Sequence, residues 1–249
     1  MLTAKERERY DRQILIEEIG PSGQERLKAS KVLIAGAGGL GSPISLYLAA
    51  AGVGRISIVD HERVDLSNLN RQILHWEKDI GRGKVDSAVE KLLSLNRDAA
   101  IEAVRETITE ENVSRLAEGF DLIVDAVDNL PTRYLLNRAA IEYRIPFFHG
   151  AVSGFEGRVT TIIPGKTACL GCMVRGSVVR NKPPVIGVAP AVIGSIQATE
   201  VIKYIAGVGE LLTDRLLLYD GLNLTFTEFK VARNPDCEHC RHLTTQEQT

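Results

Sequence analysis

The sequence predicts an α/β fold, a doubly wound and mostly parallel sheet extended by antiparallel strands and tied together by a metal corner. Three observations carry that expectation. Short apolar runs alternate with amphipathic helical stretches up to about residue 152. From Gly157 onward, strand-like runs follow one another without helices at the same pitch. The four cysteines fall as two CxxC pairs, Cys169 with Cys172 and Cys237 with Cys240. Each pair can offer two thiolates to one tetrahedral ion, so the set reads as a Zn²⁺ site, with 64 residues lying between the pairs. A four-thiolate ion has no open position, so its role would be structural.

In chain order, Thr3 and Glu6 have capping-box spacing and open a charged helix running towards Tyr10 and Ile14. Gly20-Pro21 and Gly23 read as a break after it. Lys31 to Gly36 is an apolar run that stops at glycine, as buried parallel strands do. Leu40, Ile44, Leu48 and Ala51 share one face of the next helix, which Gly52 and Gly54 end before the strand Arg55 to Asp60. Lys84 to Asn96 reads as a helix with Val85, Val89, Leu92 and Leu93 on its apolar face. A strand at Ala100 to Arg105, a short helix at Glu110 to Glu118, a strand at Asp121 to Val127, a helix at Pro131 to Tyr143 and a strand at Pro146 to Val152 follow. Beyond them, Arg158 to Ile163, Arg215 to Tyr219 and Leu224 to Val231 read as strands, the last with a bulge at Thr227-Glu228 where its alternation slips. Pro190 to Ala206 is the helix between them, capped by Gly207. Val174 to Val188 is expected to be a mobile crossover, and the tail after Cys240 to be frayed. The whole chain, 1–249, is expected to form a single domain with an N-terminal helical segment (1–30), a nucleotide-binding half (31–152) and an antiparallel half (153–249).

Composition limits the function. With 44% hydrophobic and 25% charged residues the chain is globular, and a net charge of -2 speaks against a nucleic-acid partner. The N-terminus lacks the apolar segment of a signal peptide. Two uncharged stretches, Val32 to Gly54 and Pro183 to Ala198, are divided by glycine and proline, so no membrane span is expected. A cytoplasmic location follows, and in a reducing compartment paired CxxC elements are metal ligands before they are disulfides.

The turn Gly36-Ala37-Gly38-Gly39-Leu40-Gly41, set between a strand and a helix, is a Rossmann-like phosphate cradle. Asp60, closing the next strand, is placed for ribose hydroxyls. Taken alone, these two features suit NAD as well as ATP. Asn68, Arg71 and Gln72 come soon after, and Lys84 stands at a helix start, where a cation opposes the helix dipole unless an anion lies near. That cluster suits a triphosphate whose charge moves during reaction, although Arg71 and Lys84 also read as solvated surface charges. Asp128 and Asn129 follow a strand at the sheet edge where α/β ligands bind. A carboxylate there is a natural Mg²⁺ ligand, with Asp125 as the other candidate and simple capping as the alternative for either.

Taken together, Tyr10-Asp11-Arg12-Gln13, the glycine turn, Asp60, the segment from Ser67 to Gln72, Gly83-Lys84, the run from Asp125 to Asn129 and both CxxC pairs resemble the ThiF/MoeB/HesA family, bacterial relatives of ubiquitin-activating enzymes. The resemblance spans nearly the whole chain. It implies adenylation, by ATP, of the C-terminal glycine of a small ubiquitin-like sulfur carrier protein of the ThiS or MoaD type, by a homodimer with structural zinc. In that scheme Arg71 and Lys84 steady the phosphates, Asp60 takes the ribose and Asp128 holds Mg²⁺, with Asn68, Gln72 and Asn129 in the same site. Arg12 matches an arginine that reaches into the neighbouring subunit's site. One departure stands out. Many members carry a loop cysteine that bonds covalently to the carrier, and the matching position here falls at or beside Pro183. The expected reaction therefore stops at the acyl-adenylate.

Three other readings remain. An NAD-dependent oxidoreductase needs only the turn and Asp60, with His149 its best proton-transfer candidate, although a hydrogen-bonded histidine under the sheet edge is the plainer account. A family relative acting on a tRNA-base carboxylate would keep the fold. A dimer that binds a carrier without turnover would leave Arg71, Lys84 and Asp128 without purpose.

Overall fold

A computed structural model describes residues 1–174 and 184–243. Among these residues, eight strands form one sheet in the order β3-β2-β1-β4-β5-β6-β7-β8. The strands are β1 (Lys31–Ala35), β2 (Arg55–Val59), β3 (Ala100–Val104), β4 (Leu122–Asp125), β5 (Phe147–Ser153), β6 (Glu156–Ile162), β7 (Arg215–Asp220) and β8 (Thr225–Lys230). The first five pair in parallel; β5 to β8 pair antiparallel, which is the extension the sequence predicts.

Helices cover both faces, so the central strands are apolar on both sides. In β1, Val32 and Ile34 enter one apolar cluster while Leu33 and Ala35 enter the other. The first cluster lies under α3 (Gly20–Ala29), α4 (Gly41–Ala51), α5 (Lys84–Leu95) and α9 (Val188–Ala206). The second lies under α6 (Val113–Ala117), α7 (Leu130–Tyr143) and the short α8 (Leu170–Met173). Leu40, Ile44, Leu48 and Ala51 are all buried, as their spacing requires. At the N-terminus, α1 (Ala4–Arg9) carries the expected capping box of Thr3 and Glu6, and α2 (Asp11–Ile14) follows directly. Gly207 caps α9 in the left-handed conformation at φ 65°.

Some expectations are corrected. Gly20-Pro21 and Gly23 begin α3 and do not break the chain, since a proline in the first helical turn gives up only an N–H that has no intrahelical partner. No bulge interrupts β8: its register with β7 runs unbroken from Arg215↔Lys230 to Asp220↔Thr225. The slipped alternation has another cause. β8 is an edge strand exposed along its whole length, Phe226 and Phe229 included, so no buried face imposes a two-residue period. Leu93 is exposed because α5 turns Val85, Ala88 and Leu92 inward. Helix α8 and two 3-10 turns, Leu66–Asn68 and Glu77–Asp79, were not foreseen. Pro183 and most of the crossover, together with tail residues 244–249, lie outside the described residues; Leu243 is buried.

Candidate active site

Strand β1 pairs with β2 on one side and β4 on the other, so the chain reverses its winding direction at β1, and ligands of open α/β sheets bind above the strand ends at that point. The glycine turn sits there. Gly36 has φ +105°, and a Cβ on it would meet the Ala126 carbonyl oxygen at 2.5 Å, so the turn can lie against the β4 loop only as glycine. A side chain at Gly41 would likewise strike the Gly36 carbonyl. Asp60 braces the turn, accepting from the Ala37 N–H at 2.9 Å with one oxygen and from the Glu62 N–H at 2.8 Å with the other. Its remaining lone pairs are free for a ribose.

The segment after Asp65 roofs the turn. Asn68 is buried, and its side-chain oxygen accepts from the Asp65 N–H at 3.1 Å, which fixes the 3-10 turn. Gln72 is 4% exposed, its amide nitrogen lies beside Gly38, and its carbonyl oxygen has no partner among the described residues. Arg71 lies beside Gly39, opposite Pro190 at the start of α9, and its guanidinium donates to the Ser67 carbonyl and the Asn70 side chain. Lys84 is the first residue of α5 and only 2% exposed, so the surface-charge reading fails. Its ammonium is paired with Glu62, whose side chain is 54% exposed, and a phosphate can compete with that carboxylate from the solvent side.

A chain of buried polar groups runs beneath the turn. The His75 ring nitrogen Nε2 lies 2.8 Å from the Ala37 carbonyl oxygen, and Nδ1 lies 2.9 Å from Ser87 Oγ. Ser87 Oγ also accepts from Lys91 at 2.8 Å, and Lys91 is paired with Asp79. Burial, joined by the nearby cations Lys84 and Lys91, holds the imidazole below its ordinary value of 6.5. Burial alone would raise the Asp79 carboxyl, but Lys91 and the Trp76 N–H keep it at about 2.

On the β4 side, Asp128 is exposed and, among the described residues, meets only the Asn129 amide, at 3.5 Å. Asn129 caps α7, its side-chain oxygen accepting from the Thr132 N–H at 3.0 Å. Asp125 is fully buried, 2.6 Å from His149 Nδ1 and 3.2 Å from Arg133 Nε, and therefore closed to a metal. His149 is thus the hydrogen-bonded histidine under the sheet edge. Arg133 also donates to the Val127 carbonyl at 2.7 Å, so this trio holds the backbone just before Asp128. Arg12 is exposed on α2 and has no partner among the described residues.

The four cysteines converge on the α7 face. Their sulfurs all lie within 4.8 Å of one another, with Cys169–Cys237 at 3.7 Å, Cys172–Cys240 at 3.6 Å and Cys169–Cys172 at 3.9 Å. Tetrahedral Zn–S bonds of about 2.3 Å place sulfurs about 3.8 Å apart, so the residues fit zinc, while a disulfide needs about 2 Å. Burial pushes the Cys169 thiol up, so ionising it calls for a cation.

Sequence reasoning brought the turn, Asp60, Asn68, Arg71, Gln72 and Lys84 to one place and the cysteines to another. It missed Glu62, His75, Asp79, Ser87, Lys91 and Arg133. A signal existed: Lys84, Ser87 and Lys91 recur at steps of three and four, a polar stripe on a buried helix.

A ThiF family model matches residues 10–239. The chain is 42% identical over 245 residues to the SAMP-activating enzyme E1 of Haloferax volcanii, covering 96% of this chain and 90% of that one. It is 41% identical over 261 residues to the sulfur carrier protein adenylyltransferase of Thermus thermophilus, covering 98% and 94%. Among solved structures, E. coli MccB with ATP matches with a TM-score of 0.85 at 24% identity, over 94% of this chain and 75% of that one, a likeness of fold. No described helix is long and apolar enough to cross a membrane.

Proposed function

The chain belongs to the ThiF family and is an adenylyltransferase, and we propose that it activates the C-terminal glycine carboxylate of a small ubiquitin-like sulfur carrier ending in Gly-Gly. The carboxylate oxygen attacks the α-phosphorus of ATP, the bond to the bridging oxygen breaks, and pyrophosphate leaves with its electron pair. The product is a carrier acyl-adenylate. Little covalent work falls to the protein; positioning and charge stabilisation supply the catalysis.

The observation that carries this reading is the roof over the glycine turn. Arg71 and Gln72 lie directly on Gly38 and Gly39, and the buried Lys84 opens α5, whose Ser87 meets His75 beneath the same turn. A dinucleotide needs no such cations, since backbone amides can hold a pyrophosphate. Asp60 would take the ribose. Asp128, an exposed carboxylate with no cation beside it among the described residues, would hold Mg²⁺, and one carboxylate plus phosphate oxygens is the set that ion favours. Mg²⁺ would neutralise charge on the leaving pyrophosphate. Arg12, without a partner among the described residues, and the exposed apolar side chains Leu66, Ile73, Trp76 and Ile80 on the roof segment and its continuation support a homodimer with Arg12 contributed across the interface.

No thioester is expected. All four cysteines sit in the metal corner, and the position at Pro183 offers no nucleophile. Sulfur would come from an outside donor attacking the acyl-adenylate. Carrier-dependent exchange of labelled pyrophosphate into ATP, run across Gly-Gly-ending carriers, tests the reading. Exchange is expected with at least one, and Asp128→Asn should lower it by about a hundredfold or more at unchanged thermal midpoint. No exchange with any carrier, alongside tight NAD binding, would overturn it.

A further inference from the structure

The proposed reaction makes no use of four buried polar side chains under the glycine turn: His75 is 3% exposed, Ser87 0%, Lys91 8% and Asp79 0%. Such clusters are often no more stabilising than apolar packing of the same volume, so their placement calls for a reason. From Ala37 to Lys91 the donors and acceptors follow from the groups themselves. The Ala37 carbonyl can only accept, so His75 Nε2 carries a proton and donates to it. In the neutral ring Nδ1 is then an acceptor and takes the Ser87 hydroxyl proton. That leaves a Ser87 lone pair for the Lys91 ammonium, which in turn is held by Asp79. Each of these bonds has one donor and one acceptor, and Asp79 at the far end also accepts from the Trp76 N–H at 2.9 Å and from Arg82 at 2.8 Å.

We infer that His75 is a positioning residue that sets the orientation of the Ala37–Gly38 peptide and so aims the Gly38 N–H at the nucleotide phosphates; the inference rests on the nucleotide reading above. The geometry follows from the trans peptide, in which C=O and N–H point in opposite directions. With the Ala37 carbonyl drawn inward by His75, the Gly38 N–H must face outward, and it donates to no acceptor among the described residues. Asp60 holds the preceding peptide through the Ala37 N–H. Without His75 the Ala37–Gly38 peptide is free to flip, since glycine tolerates either conformation, and would then present a carbonyl oxygen to an anion. Ser87 and Lys91 share a face of α5 with Lys84, so one helix places both the phosphate cation and the brace beneath the turn.

Calorimetry of the full-length chain with Mg-ATP, alongside pyrophosphate exchange, tests this. His75→Phe keeps a ring without a donor and should weaken ATP about tenfold to a hundredfold, the range for one hydrogen bond to a charged group, while the KM for the carrier stays put. His75→Gln, whose amide can still reach the Ala37 carbonyl, should recover most of the affinity, and the shorter His75→Asn should not. The Gln and Asn variants are equally polar, so they decide the matter even where the Phe variant fails to fold. Trp76, the only tryptophan, has its ring centroid 4.8 Å from Lys91 Nζ, and unchanged emission shows that the far end of the chain is intact. Equal ATP affinity in the Gln and Asn variants, or a folded Phe variant within twofold of wild type, overturns the inference and leaves the nucleotide reading standing. Absence of ATP binding in the wild type overturns both.

Discussion

The thiol corner on the α7 face and the His75 chain on the α4–α5 face both bury polar atoms among apolar side chains, yet they differ in where the compensating charge comes from. The corner gathers four groups of one kind, all able to bear negative charge, and once ionised they would need a cation from outside the polypeptide. The chain alternates acid, base, hydroxyl and imidazole, and its carboxylate is neutralised from within the polypeptide, by Lys91 and by Arg82 at 2.8 Å. The corner pins a distant segment, the tail after β8, to α8. The chain pins neighbours in sequence, the roof segment and α5, to the turn. A polar cluster that depends on an ion can hold remote pieces together, whereas one complete in itself sets local geometry.

Metal removal should have the largest effect. Structural zinc contributes about 10–16 kcal/mol in small zinc peptides, comparable with the whole stability of a typical domain. Chelation, or Cys237→Ser, is expected to lower the calorimetric midpoint steeply and to expose the C-terminal segment to protease. A midpoint that stays put under chelation would erase the contrast between the clusters. Breaking the self-contained chain comes next. Asp79→Ala strands a buried ammonium and should cost about 3–5 kcal/mol, while replacing Asp79 and Lys91 together with leucine should cost much less. Equal losses in urea titrations would show that the pair is not the unit.

The pH response is smaller and separates the clusters further. His75 and His149 both have folded values held below the ordinary 6.5, in each case by burial first. The unfolded chain therefore binds more protons as pH falls through that value, and stability present above about pH 6.5 is lost below it. The slope is at most about 1.4 kcal/mol per pH unit per histidine. Urea midpoints at pH 7.5, 6.5 and 5.5, with zinc saturating, should fall in that order. A flat profile would mean that the buried rings accept protons in the fold. Thr3→Ala sets the scale at the bottom, about 1 kcal/mol for an N-cap remote from both clusters.

Local chemistry accounts for what the sequence made legible. A glycine turn, an N-cap, a CxxC pair and the apolar period of α4 each lie within a few residues, and the physics that selects them acts over the same range. Two cysteine pairs far apart could still be joined on paper because two CxxC pairs suit the corners of one tetrahedral ion. The misread stretches are those where local signals compete. Gly20-Pro21 suits a break and a helix start equally well, and only packing of Leu27 into the core decides for the helix. At Thr227-Glu228 a lapse in alternation meant exposure rather than a bulge, because whether a strand is central or an edge is not written in the strand itself.

By itself, then, the chain specified the order of its elements, its glycine turn and the grouping of its four cysteines, since each follows from short-range conformational preference or from side chains with a single plausible chemistry. Only the tertiary structure decided which charges are buried and with whom they pair. Lys84 meets Glu62, Asp125 is withdrawn behind His149 and Arg133 while Asp128 stays open, and His75 comes under the turn. The cost of burying a charge depends on partners brought from distant parts of the chain, and that is settled when the sheet and its helices close around them.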